Sequence, residues 1–190
     1  MDIKDQSLFD MPSTPLPHGV RAELRASHAG EMGAVWIYRG VLMANVFRRD
    51  TDIARFAAHH LETEKRHLAG FENRLHFFRG SVLLFFWALA GFATGFLPAL
   101  LGRNWIYYTI YCVESFVDKH YHSQIKMLGT DDHPLTVMML DAIKSYHQDE
   151  QSHRDEALHA VTKPPTTSMK IWGWLIEKGS EAAVALSRVI

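Results

Sequence analysis

The sequence predicts an all-α fold: a four-helix bundle with an apolar segment inserted at its middle and one extra helix at its C-terminal end. Three observations carry that expectation. Apolar residues recur at steps of three and four along most of the 190 residues, no stretch alternates with the period of a strand, and Glu-x-x-His occurs twice in register with the apolar stripes. At 47% hydrophobic content a chain of this length buries one substantial core, so a single domain over residues 20–190 is expected.

Residues 1–19 read as an irregular lead-in, because Pro12, Pro15 and Pro17 stand among Ser and Thr. A first helix over 20–47 places Leu24, His28, Glu31, Val35, Tyr38 and Leu42 on one stripe. A second, over 52–78, lines up Ile53, Ala57, His60, Glu64, His67, Phe71 and Phe78. A third, over 104–128, aligns Ile110, Glu114, Val117, Tyr121 and Leu128 before Gly129, Asp131 and Asp132 break it. Pro134 suits the first turn of a fourth helix over 134–161, which aligns Met139, Ile143, Tyr146, Glu150, His153 and Ala157 and stops before Pro164 and Pro165. A fifth, over 168–190, carries Ile171, Trp172, Trp174 and Leu175.

The two halves of the chain repeat one pattern. Glu31 is followed after 33 residues by Glu64 with His67, and Glu114 after 36 residues by Glu150 with His153. Each gap is about one helix plus a turn, so the four segments return these residues to the same height in a bundle. Residues three apart share a helix face, so each Glu-x-x-His can reach one metal ion. Glu31 and Glu114 supply two further carboxylates, and four negative charges balance two divalent cations. The pattern is that of ferritin-like di-iron and di-manganese proteins. Carboxylate and imidazole donors with open positions suit iron that activates O2. The expected ligands are Glu31, Glu64, His67, Glu114, Glu150 and His153. By contrast Glu62, Glu72, Glu156 and His159 have no counterpart in the other half. His28, His60 and His147 are expected to support the ligands or fill the core. Tyr38, Tyr121 and Tyr146 read as core residues near the metals, with hydrogen-bond relays as the alternative.

Composition excludes other classes. Twenty basic against 21 acidic residues leave no electrostatic footprint for nucleic acid. Cys112 is the sole cysteine, which rules out an internal disulfide, a Cys-rich zinc site and an iron–sulfur cluster built from this chain. Electrons for O2 chemistry must therefore come from an external donor. Residues 1–10 have neither a signal-peptide core nor transit-peptide character, so an intracellular bacterial protein is expected.

Residues 80–102 run for 23 positions without a charge and contain Gly91, Gly95 and Pro98. The run is long enough to cross a membrane. A crossing there would place the two halves of the metal site on opposite sides of the bilayer. We therefore expect a bent hairpin that dips into one leaflet or covers the bundle, offering Phe85, Phe86, Trp87, Phe92 and Phe96 to lipid. A bilayer-soluble substrate would account for such a surface, with Phe85, Phe92 and Phe96 as candidate contacts for it.

These residues together resemble the demethoxyubiquinone hydroxylases, the Coq7 family of ubiquinone biosynthesis. The resemblance runs from about Val20 to near the end. It rests on His28-Ala29-Gly30-Glu31 with Ile37-Tyr38 and Gly40, on Glu64-Lys65-Arg66-His67, on Gly91-Phe92 with Gly95, on Val113-Glu114-Ser115, on His120-Tyr121, and on Asp149-Glu150-Gln151-Ser152-His153. It implies that the six residues above hold two iron ions and that His120 and Tyr121 lie near a quinone and relay protons or electrons. It also implies a monooxygenase that inserts one atom of O2 into the ring of a polyprenyl demethoxybenzoquinone, with electrons from NADH or another donor. The implied setting is a peripheral protein on the cytoplasmic face of a bacterial inner membrane, in a homo-oligomer or a complex of ubiquinone-synthesis proteins. Ser27, Val41 and Lys119 depart from the family's usual residues, and none of them is a ligand. No Gly-x-Gly-x-x-Gly is present, so NADH would bind without a Rossmann unit. The alternatives are a tRNA hydroxylase, a peroxidase of rubrerythrin type, an iron-storage protein, or a quinone-synthesis scaffold with a vestigial metal site.

Overall fold

The structure, a computed structural model, describes residues 15–190, so most of the expected irregular segment 1–19 lies outside the described residues. Six helices follow: α1 (His18–Arg48), α2 (Thr51–Glu72), α3 (Leu84–Leu101), α4 (Arg103–Leu128), α5 (Pro134–Ala160) and α6 (Thr167–Val189). No strand occurs among the described residues. The fold is the expected all-α, ferritin-like bundle.

Local chemistry sets the helix boundaries. Arg49 leaves α1 in the left-handed region (φ 53°) and its N–H returns to Asn45 O. Asp50 then caps α2, accepting from the amides of Asp52 and Ile53 at 3.1 and 3.2 Å. Its other partner is Arg103, whose Nη2 lies 2.8 Å from Asp50 Oδ1 and ties the start of α4 to that corner. Pro134 opens α5, and Thr166 caps α6 through Met169 N.

The four bundle helices are α1, α2, α4 and α5. Their directions follow from the contacts of α3, which runs parallel to α1: His28 meets Gly80, Gly33 meets Gly91, Ile37 meets Gly95, and Arg48 donates to Leu100 O. Helix α3 is thus the long crossover that lets α2 and α4 both run antiparallel to α1. It packs on α1 and α4, as does α6, so α1 and α4 form a middle layer between α2/α5 on one side and α3/α6 on the other.

Two expectations are corrected here. The second helix ends at Glu72 rather than at 78, because residues 73–78 tighten into successive turns (Arg74 N to Phe71 O, Leu75 N to Glu72 O). Phe78 still reaches the core through that turn. The uncharged run forms one helix, not a bent hairpin. Gly91 and Gly95 do not break it: they let its backbone approach α1 so closely that an added methyl would overlap the carbonyls of Gly33 and Ile37. Gly40 on α1 answers them against the backbone of Phe92 and Phe96.

The apolar interior is in two parts. One gathers Val35, Val41, Ile53, Phe56, Ile106 and Ile110, and the other Val20, Leu24, Phe71, Leu128, Met139 and Ile143. Between them lies a polar layer.

Candidate metal centre

That layer holds the six residues expected as ligands, all buried: Glu31 from the middle of α1, Glu64 and His67 from α2, Glu114 from α4, and Glu150 and His153 from α5. Their donor atoms form two groups, each with its atoms within 4.8 Å of one another. One comprises Glu31, Glu64, His67 and Glu150, and the other Glu64, Glu114, Glu150 and His153. Glu64 and Glu150 belong to both. The carboxylates of the two Glu-x-x-His motifs are therefore common to both groups, while Glu31 and Glu114 each belong to one. The sequence did not separate these roles.

Both histidines turn Nδ1 inward. His67 Nδ1 lies 3.0 Å from Glu150 Oε1 and 3.6 Å from Glu31 Oε2. His153 Nδ1 lies 3.0 Å from Glu64 Oε1 and 3.3 Å from Glu150 Oε2. The far nitrogen of His67 meets Asp149 Oδ2 at 3.0 Å, which fixes the ring's orientation. Tyr146 stacks on that ring at 4.2 Å, in space left by Gly70, where a methyl would overlap the Tyr146 hydroxyl. Beside His153 stands His60, 4.1 Å between ring centres, with Nε2 3.1 Å from Glu156 Oε2. Burial, then the neighbouring His153 and His59, pull the His60 pKa down to about 3, so it is neutral.

The electrostatics of the layer fit a metal pair. Burial first, and then the neighbouring carboxylates, hold Glu64 and Glu114 well above the ordinary carboxylate range. Burial disfavours charge on His67 as well, but its bonds to Glu150 and Glu31 prevail and push it up to about 11. Against the same burial, His153 and His67 bring Glu150 down to about 2. Polar atoms without a hydrogen-bond partner cluster here too: Glu31 Oε2, both oxygens of Glu64, Glu150 Oε2 and His153 Nδ1. These are the atoms that face the two ligand groups. Two divalent cations would satisfy them and neutralise four carboxylates.

Two tyrosines bond these unshared carboxylates, Glu114 and Glu31. Tyr38 on α1 donates to Glu114 Oε1 on α4 at 3.1 Å, and Tyr121 on α4 donates to Glu31 Oε1 on α1. Each tyrosine lies seven residues after the glutamate of its own helix and bonds the glutamate of the other. This Glu-x6-Tyr repeat is present in the sequence and marks the pair. The His120 ring lies 6.0 Å from that of Tyr121 and stacks with Phe116 at 6.3 Å. It lies in the field of Glu23 and Arg188, where burial lowers its pKa. Further out, Asp118 accepts from Gln151 and Arg154 and lies 2.6 Å from His147 Nε2, joining α4 to α5. Ser27 and Gln124, both buried, bond each other across α1 and α4.

An apolar cavity of about 280 Å³ lies on the far side of the middle layer, between α3 and α6. Its floor includes Gly30 and Val113, the residues next to Glu31 and Glu114, and its walls include Trp87, Thr94, Ile176 and Ala183. The three phenylalanines expected to touch substrate do not line it. Phe85 is 72% exposed, and Phe92 and Phe96 stack on each other at 5.4 Å, Phe92 also against Trp36. In a single helix the face turned to the cavity is that of Trp87, Ala90, Gly91 and Thr94.

Comparison with known proteins agrees with this geometry. The family described as ubiquinone biosynthesis protein COQ7 matches residues 18–187. A rat protein named NADPH-dependent 3-demethoxyubiquinone 3-hydroxylase, mitochondrial, is 36% identical over 168 residues, covering 86% of this chain and 75% of its own length. A Rhodospirillum rubrum protein named 3-demethoxyubiquinol 3-hydroxylase is 35% identical over 148 residues, covering 76% and 67%. A Caenorhabditis elegans protein with the same name as the rat one is 28% identical over 176 residues, covering 88% of each. With a family match over nearly the whole chain and relatives above 30% identity, the chain belongs to the COQ7 family of ubiquinone biosynthesis proteins.

Proposed function

We propose that this chain is a di-iron monooxygenase that hydroxylates the ring of a polyprenyl demethoxybenzoquinone in ubiquinone biosynthesis, docked on a membrane by α3. The observation that carries this reading is the pair of overlapping ligand groups, Glu31–Glu64–His67–Glu150 and Glu64–Glu114–Glu150–His153, next to an apolar cavity whose floor adjoins Glu31 and Glu114. Iron bound there would supply O2 activation. The residues supply the rest. Burial keeps the Tyr38 and Tyr121 hydroxyls protonated, so they remain donors to the unshared carboxylates and hold a proton beside the cavity floor. The two apolar cores exclude bulk water from the layer, and the cavity admits a ring and the start of its apolar tail. Trp87, Gly91 and Thr94 replace the three phenylalanines as the α3 contacts of that substrate.

Helix α3 is long and apolar enough to cross a membrane, and its mean hydropathy is 1.9. It lies alongside α1, which carries Glu31 and four arginines, so a crossing would drag charges through the bilayer. Docking in one leaflet instead places exposed Val82, Phe85, Phe86, Leu89 and Leu97 in lipid. We place the protein on the cytoplasmic face of a bacterial inner membrane, alone, as a homo-oligomer or with other ubiquinone-synthesis proteins. The relatives' printed names favour NADPH over NADH as the donor. A strain lacking this protein, complemented with Glu150→Ala, tests the reading: its lipid extract should accumulate the unhydroxylated quinone, and normal ubiquinone would defeat the assignment.

A further inference from the structure

At the N-terminal end of α1, away from the metal centre, three arginines gather with no acidic partner among the described residues. Arg21 and Arg25 lie one turn apart on α1, and Arg79 sits in the turn before α3, next to Gly80, which packs on His28 one turn beyond Arg25. Arg25 is only 9% exposed. Its Nη1 donates to Val189 O at 3.2 Å, and its Nε, like that of Arg21, is buried without a partner. Among the described residues no carboxylate lies within ion-pair distance of any of the three. Glu23 is taken by Arg188, at 2.6 Å, and the charge of Glu72 raises the His28 pKa against the larger lowering by burial. Burial, and then the charges of Arg79 and Arg21, lower the proton affinity of Arg25.

A buried guanidinium beside two like charges is unfavourable unless an anion joins it. Arginines in a fork match phosphate oxygens in pairs. What lies next to the cluster names the source of the phosphate: Arg79 leads directly into Val82, Phe85 and Phe86, which are exposed and apolar. A lipid whose chains lie along those side chains carries its headgroup phosphate to the level of Arg79.

We propose that Arg21, Arg25 and Arg79 form a headgroup site for an anionic phospholipid, which fixes how α3 sits at the membrane surface. The inference rests on the membrane reading above and goes beyond it by naming the lipid class. Arg25 forms the floor, and Arg21 and Arg79 clasp the phosphate from two sides.

Co-sedimentation of the full chain with vesicles of phosphatidylcholine, or of phosphatidylcholine with phosphatidylglycerol, tests it. The wild type should prefer the vesicles containing phosphatidylglycerol, and the preference should shrink with added salt. Arg79→Gln and Arg25→Gln should each weaken that preference about fivefold while binding to phosphatidylcholine stays the same. Arg79 is exposed, so its variant keeps the test decisive if Arg25→Gln fails to fold. Equal binding of wild type and both variants to the two vesicle types overturns the headgroup site and leaves the docking face standing. Binding of the wild type to neither vesicle overturns both. Thermal stabilisation by inorganic phosphate that both variants lose, with no vesicle preference, would assign the cluster to a soluble phosphate compound and overturn the lipid.

Discussion

Tyr38 on α1 donates its hydroxyl proton to Glu114 on α4 at 3.1 Å, and Tyr121 returns the same bond from α4 to Glu31. The two unshared carboxylates are thus oriented by the helix opposite their own. Tyr38→Phe and Tyr121→Phe should keep the fold, since each removes one oxygen and leaves the ring in place. Each should weaken metal binding by about 10- to 100-fold, the range for losing an outer partner of a ligand. Chelator competition with the apo-protein measures this, and unchanged affinity would show that the tyrosines only pack.

The shared carboxylates make a different prediction. Glu64 and Glu150 belong to both ligand groups, whereas Glu31 and Glu114 belong to one each. Glu64→Ala should abolish binding at both positions, and Glu31→Ala or Glu114→Ala should leave one occupied. Metal analysis of reconstituted variants counts the ions directly. Identical stoichiometry in all of them would mean that the groups do not share ligands.

Protonation of the metal-free protein gives a pH dependence. Glu64 and Glu114 are raised when folded and His67 is raised to about 11, so the folded apo-protein holds protons that the unfolded chain has released. Their contribution is complete below the unfolded values and is lost as pH climbs, from about 4 upward for the carboxyls and from about 6.5 toward 11 for His67. Glu150, lowered to about 2, acts in the opposite direction and loses its contribution only as pH falls below the ordinary range. Apo-protein stability should therefore be greatest near mildly acidic pH and fall toward alkaline pH. Metal must displace those protons, so its stabilising effect should grow over the same range. Thermal melts with and without metal across pH read both trends.

Helix α3 separates packing from docking. Gly91→Val forces a side chain into the Gly33 carbonyl and should cost about 1–3 kcal/mol. Phe85→Asp changes an exposed position and should leave the melting temperature unchanged while releasing the protein from vesicles. Equal stability of the two variants would contradict the α1–α3 contact.

Much of this was legible in the sequence because helical spacing is local. Glu31, Glu64, His67, Glu114, Glu150 and His153 stand in register with apolar stripes, and the structure places all six in one buried layer. The rest needed the third dimension. Gly91, Gly95 and Pro98 look like helix breakers in one dimension. Only the neighbouring backbone of α1 shows the two glycines to be contact points. Phe85, Phe92 and Phe96 were chosen for their aromatic character, but the face that α3 turns to the cavity depends on its rotation about its own axis. Which glutamates are shared, and that Asp149 holds His67, are matters of side-chain direction that spacing leaves open. The crossed tyrosines were visible as a repeat at seven residues, which gains meaning only when α1 and α4 are known to face each other.

The most direct test of the central claim is the fate of oxygen. Purified protein loaded with iron, given a short-chain demethoxyquinone, NADPH and labelled O2, should yield hydroxylated quinone carrying one labelled atom, with NADH as the comparison donor. Label recovered only in water, or an oxygen in the product drawn from solvent, would contradict a monooxygenase at Glu31, Glu64, His67, Glu114, Glu150 and His153.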